Sequence, residues 1–141
     1  MPAIYSYSKI ITEGPNGTVE SAILPVDANH QPVGVELCTI GGVTYISIPD
    51  GYTLPAQSAG LTLTNIPLPI ATALHDQVCA ASPHVQLIDK QTQAAIAQQY
   101  DHAAELKALR LGPTDPGWAA YSTYVAGCVA AGKVKKAVLG L

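Results

Sequence analysis

The chain changes period around Ile66-Pro67-Leu68-Pro69. Before that point, short apolar and β-branched runs are separated by tight-turn residues, which is the pattern of strands. After it, apolar residues recur every three or four positions, which is the pattern of helices. The switch predicts an α+β fold: a small N-terminal antiparallel β meander followed by a C-terminal bundle of three to four helices. Residues 1–51 make the predicted β-sheet region, 52–69 an extended proline-containing connector, and 70–141 the helical region. We read the switch as an internal joint of one small part, not as a seam between independent domains.

In the β half, residues 3–11 form the first predicted strand. They alternate Ile4/Ser6/Ser8/Ile10 against Tyr5/Tyr7/Lys9/Ile11, so neither face is cleanly apolar. Gly14-Pro15-Asn16-Gly17 supplies a turn, since Asn-Gly adopts positive φ at little cost. Thr18 to Val26 is the returning strand, and Val33 to Ile40 the third. Gly41-Gly42 signals a two-residue hairpin into Val43–Ile48, which Pro49-Asp50-Gly51 closes. A sheet this small needs a cover. Within the connector, Leu61 to Thr64 can form an edge strand.

In the helical half, Ile70, Leu74, Val78 and Ala81 share one stripe, bounded by Pro69 and Pro83. Ser82-Pro83 is expected to open the next helix, the serine as cap and the proline at the position that needs no N–H. Its inward stripe is Val85, Ile88, Thr92, Ala95, Ile96 and Gln99. Asp101 reads as the cap of a third helix and Glu105 as its first-turn acid, with Leu106 and Leu109 inward and Gly112-Pro113 as the stop. Asp115-Pro116 opens a last helix, whose seam is Trp118, Tyr121, Val125, Cys128, Val129 and Gly132. Gly127 and Gly132 either weaken that helix or admit a neighbouring backbone. Lys133, Lys135 and Lys136 sit where cations offset its dipole.

Composition narrows function by exclusion. Of 141 residues, 12% are charged and 48% hydrophobic, against about 25% charged in an ordinary soluble domain. Low charge without a long apolar run implies that a partner covers part of the surface. Net charge is −3, and neither half carries the basic stripe that neutralises phosphates, so nucleic acid is not expected. No segment reaches membrane-spanning length. The start, Met1-Pro2-Ala3-Ile4, lacks a signal-peptide pattern. Three well-separated cysteines, Cys38, Cys79 and Cys128, fit reduced thiols better than a disulfide framework.

Candidate chemistry is sparse. His75 and Cys79 share a helix face, with His84 and His102 later in the chain, and these are zinc-type ligands. The spacing matches no closed site, so packing is the plainer reading. The cysteines lack a nucleophile signature and behave as small hydrophobes. The glycines at 34, 41, 42 and 51 are turn residues, because no Gly-Lys-Ser/Thr follows them. Trp118, Tyr121 and Tyr124 fit an interface anchor, and Trp118 and Tyr121 fit the core stripe as well, which leaves Tyr124 the more outward. No catalytic, cofactor-binding or metal-binding residue is assigned.

One resemblance adds to this reading. Tyr45 to Gln57, Ala80 to Ile88, the Tyr100-Asp101 pair with the helix Glu105-Leu106-Lys107-Ala108-Leu109-Arg110, and the aromatic stretch Trp118 to Tyr124 resemble small proteins encoded among the tail genes of tailed phages and prophages. The likeness spans roughly residues 43–141. It implies a non-enzymatic structural component of a phage tail tip, fibre-associated or a fibre-to-baseplate adaptor. Such a part would be made in the host cytoplasm and carried in the virion. Its partners would be other tail proteins and copies of itself, with no cofactor. The alternatives are a tail fibre assembly chaperone absent from the mature particle and, from another class, a small metal-binding or hydrolytic domain using His75, Cys79 and a later histidine. The segment Gln91 to Gln99 departs from the family pattern by carrying alanine and glutamine in place of charge, which favours a packed helix there.

Overall fold

The computed structural model describes all 141 residues. The fold is α+β: an antiparallel sheet in the N-terminal half, then four helices. The strands are β1 (Ala3–Tyr7), β2 (Ile10–Thr12), β3 (Thr18–Glu20), β4 (Val35–Ile40), β5 (Val43–Ile48) and β6 (Thr64–Ile66). The helices are α1 (Thr72–Ala81), α2 (Pro83–Gln99), α3 (His102–Leu111) and α4 (Trp118–Val138). Strands give way to helices between Ile66 and Thr72, where the sequence changes period. The chain divides into two compact units: Met1–His84 with Ala137–Leu141, and Val85–Lys136.

The first unit is built on a four-stranded sheet in the order β4-β5-β1-β6. β4 and β5 form the hairpin expected from Gly41-Gly42, both at positive φ. Beyond that hairpin the chain order departs from a simple meander: β1 lies between β5 and β6, while β2 and β3 pair only with each other. The single strand expected over residues 3–11 is thus two strands in different sheets, broken at Ser8-Lys9. The returning strand is three residues long, because residues 21–25 leave the ladder. There the amide of Gln57 takes the place of a strand neighbour, accepting from Ile23 N at 2.8 Å and donating to Ile23 O at 3.0 Å. The edge strand forms three residues later than expected, at Thr64–Ile66.

Both faces of this sheet are covered, which explains the mixed alternation of its first strand. On one face Ile4, Leu37, Cys38 and Val78 form a buried cluster, joined by Leu74 of α1 and by Leu139 and Leu141. On the other, Tyr7, Ile46, Ile48 and Leu61 are buried beneath Ala22, Leu24, Leu54 and Leu63. Alternation sends Ile4 to the first face and Tyr5 and Tyr7 to the second. Leu37 and Cys38 reach the same face although adjacent, because the register shifts between Glu36 and Cys38. A bulge of this kind puts two successive residues opposite one. Thr39 and Thr44, paired across the hairpin, bond through their hydroxyls at 2.9 Å.

Ser82 is the single residue between α1 and α2. Its N–H closes α1 on Val78 O at 2.8 Å, and its extended backbone (φ −77°, ψ 119°) lets Pro83 open α2. The expected side-chain cap is not made: Ser82 Oγ is enclosed without a hydrogen-bond partner. Asp101 does cap α3, accepting from Ala104 N at 2.8 Å. Before α4 a single 3-10 turn (Gly112–Thr114) leads into Asp115. Asp115 accepts from Gly117 N at 2.9 Å, so α4 begins at Trp118, two residues after Pro116.

The second unit holds most of α2, all of α3 and most of α4. Val85, Ile88 and Tyr121 are its buried hydrophobics. Two expectations fail here. Leu106 and Leu109 do not face inward: they are 51% and 56% exposed, while Ala104 and Ala108 take the inner side. The run Gln91 to Gln99 is not packed throughout, since only Thr92, Ala95 and Ile96 are half-buried and Gln99 is exposed.

Candidate functional site

The second unit contains a groove between α2 and α4. Gln91, Thr92 and Ala95 line one wall, and Tyr124, Cys128 and Gly132 stand on the other, around about 410 Å³. Close approach at one end requires Gly132: a Cβ there would meet Thr92 Oγ1 at 2.6 Å, and that hydroxyl already donates to Ile88 O at 3.0 Å. Gly127, by contrast, has open space where its side chain would be. Lys135 donates to Gln91 at 2.9 Å, and Lys136 pairs with Asp89 at 2.7 Å. These lysines therefore tie α4 to α2 as well as complementing the helix end.

The aromatic residues hold this unit together. Tyr100 meets Tyr121 edge-on with centroids 5.1 Å apart, and tilts against Tyr124 at 5.7 Å. Trp118 lies 5.6 Å from Tyr121. Such pairs add stabilisation beyond area burial. Tyr124 is not the outward residue that its place off the apolar seam implies. Its hydroxyl donates to Ala95 O at 2.7 Å, and the side chain is half-buried. Burial pushes the Tyr121 and Tyr124 hydroxyls above their ordinary 10.0. Opposite them, Ala104 and Ala108 leave a crevice of about 210 Å³ against Tyr100 and Tyr121.

His75 and Cys79 meet as the helix spacing requires, but the geometry is that of packing. Cys79 Sγ is 3.6 Å from Nε2 and 3.8 Å from Nδ1. A thiol aimed along one ring nitrogen's lone pair would be much farther from the other, so the sulfur sits beside the ring. Asp76 approaches Nδ1 at 3.4 Å. His84 and His102 do not join this pair: no three His, Cys, Asp or Glu side chains gather as a metal-holding group. Cys38 is buried in the first unit, and burial, with Cys79 and Glu36 adding to it, raises its thiol above 9.0.

The arrangement best suited to recognition is on the surface. Residues 11–20, which carry the β2–β3 ribbon, are all exposed. Ile11 and Val19 stand directly opposite one another, 68% and 61% exposed, while Ile10 turns toward the sheet's second cluster. In the second unit, Leu106 and Leu111 lie with Lys107 and Arg110 along one side of α3, around a depression of about 400 Å³. Sequence periodicity finds α3 as amphipathic but assigns its apolar side to the core. The signal for the true orientation is the alanine pair at 104 and 108, the small residues that fit beneath Tyr100 and Tyr121. No helix is long and apolar enough to cross a membrane. In comparisons with known proteins, no family model, no curated protein and no solved structure matches this chain.

Proposed function

We propose that this chain is a non-enzymatic assembly part of a phage tail tip, fibre-associated or a fibre-to-baseplate adaptor. The observation that carries an assembly role is the pairing of exposed apolar surface with few charges: Leu106 and Leu109 on α3, and Ile11 and Val19 on the β2–β3 ribbon, in a chain only 12% charged. Apolar patches on a surface mark sites of association, and their burial supplies the affinity of an interface core. The tail setting rests on the resemblance of residues 45–57, 80–88, 100–110 and 118–124 to tail-encoded proteins.

The test is quantitative mass spectrometry of purified tail particles from a host that expresses the chain, beside the set of chains that co-purify with it from lysate. A fixed ratio to fibre or baseplate chains in the particle is the expected result. Capture with a fibre chain in lysate, together with absence from the particle, identifies an assembly chaperone instead. Absence from both overturns the assignment.

A further inference from the structure

Exposed apolar side chains and unbalanced charge coincide at two places, and the two are opposite in sign. Residues 10–20 carry Glu13 and Glu20 and no base, around the exposed pair Ile11 and Val19. On α3, Lys107 and Arg110 accompany the exposed Leu106, Leu109 and Leu111. The acids of α3 lie at its N-terminal end, Asp101 as the cap and Glu105 half-buried in the first turn, while Lys107 and Arg110 line the depression, which has no acid. The same asymmetry holds for the units as wholes. Met1–His84 with Ala137–Leu141 has six acids and one lysine, while Val85–Lys136 has four acids and six bases.

We propose that the acidic, apolar β2–β3 arm of one copy of this chain docks on the basic, apolar outer face of α3 in a second copy. Charge complementarity selects this pairing. Arm against arm would set Glu13 and Glu20 against their own kind, and α3 against α3 would do the same with Lys107 and Arg110. Like-charge juxtaposition of that sort suppresses the symmetric alternatives. Each copy carries one arm and one α3 face, so the contact either closes reciprocally in a two-fold pair or repeats from copy to copy. The inference does not depend on the tail assignment, because self-association and particle abundance are separate measurements.

Sedimentation velocity of the full chain across the micromolar range, at low and high salt, tests it. The expected result is concentration-dependent association that weakens as salt screens the exposed charges. The variants E13K/E20K and K107E/R110E should each weaken association by about tenfold or more, one decade of affinity being about 1.4 kcal/mol. Mixing the two variants should restore it, because the reversed arm then meets a reversed helix. Circular dichroism melts matching the wild type exclude misfolding of these surface variants. A wild-type chain that remains monomeric throughout overturns the proposal and leaves the arm to a different partner. Association unaffected by either charge reversal, or not restored by mixing, overturns it as well.

Discussion

The two compact units bury their side chains in different ways. In the first, the sheet is covered on both faces, and Ile4, Leu37, Ile46, Ile48 and Val78 are almost completely enclosed. In the second, only Val85, Ile88 and Tyr121 are buried hydrophobics, and three leucines of α3 face outward. There the helices are held by ring contacts, one tyrosine hydroxyl and the close approach at Gly132. Fixed packing and surface for association compete for the same apolar residues. The first unit closes a core and keeps exposed apolar side chains apart from it, as at Ile11 and Val19 on the β2–β3 ribbon, while the second exposes them on the helices that also carry its core.

Replacing Ile46 with alanine tests the first half of that comparison and has the largest expected effect. Ile46 is 1% exposed among Tyr7, Ile48 and Leu61, and truncation at such a site costs about 2–5 kcal/mol. That is a large part of the ~5–15 kcal/mol stability of a typical domain. Urea unfolding followed through the backbone amide signals of β1, β4 and β5 in NMR spectra should show the loss. Trp118, the sole tryptophan, lies in the second unit and reports on it separately. Its fluorescence midpoint should fall less than the midpoint of the strands. Equal shifts would mean that the two units unfold as one.

Gly132→Ala probes the second unit. A methyl group on a helical glycine normally gains about 1 kcal/mol, yet this one would meet Thr92 Oγ1 at 2.6 Å. Overpacking costs about 1–3 kcal/mol, so the expected net is a loss of up to ~2 kcal/mol in urea unfolding followed by Trp118 fluorescence. In a Thr92→Ala background the nearest obstruction is gone, and Gly132→Ala should instead stabilise. Additive effects of the two substitutions would remove Gly132 as the point that sets the helix approach.

Much of this fold is legible in the sequence. The β4–β5 hairpin and the four helices follow from turn residues and periodicity alone, as does the Asp101 cap. What escapes is set by contacts remote in sequence. The strand expected over residues 3–11 breaks because β1 takes partners from residues 44–48 and 64–66, while β2 pairs with β3. Leu37 and Cys38 share a face only through a bulge. Ser82 has the composition of a side-chain cap, but its hydroxyl is closed off without a partner. The candidate surface on α3 is hidden for a related reason. Periodicity gives the amphipathic axis of a helix, and which side meets its neighbours depends on the shapes opposite it, here Tyr100 and Tyr121 over Ala104 and Ala108.

Titration of Cys38 offers a smaller test of burial in the first unit. Burial raises its thiol above 9.0, so the folded chain holds this proton more tightly than the unfolded chain. Its contribution is complete below the unfolded value and is lost as pH rises through the folded one. Stability should therefore fall as pH rises beyond the ordinary thiol value of 9.0, and Cys38→Ala should flatten that slope while lowering stability throughout. A slope unchanged by the substitution would show that other groups set it. Lys9, raised above 10.5 by its hydrogen bond to Glu36, acts in the same direction at higher pH.

The smallest expected effect on stability is the most diagnostic of the contrast. Leu109 is 56% exposed, and glutamine has nearly the helix propensity of leucine. Leu109→Gln should therefore change unfolding stability by no more than about 0.5 kcal/mol, as surface substitutions do. A core leucine truncated at Val78's depth, or Ile46 itself, cannot be replaced so cheaply. A loss of about 2 kcal/mol or more would mean that the α3 leucines pack inward after all, as periodicity alone predicts. A neutral result, combined with weaker self-association of the same variant in sedimentation, would separate the leucine's two possible duties. It would place Leu109 in the surface that one copy offers to another and outside the core that holds α3 in place.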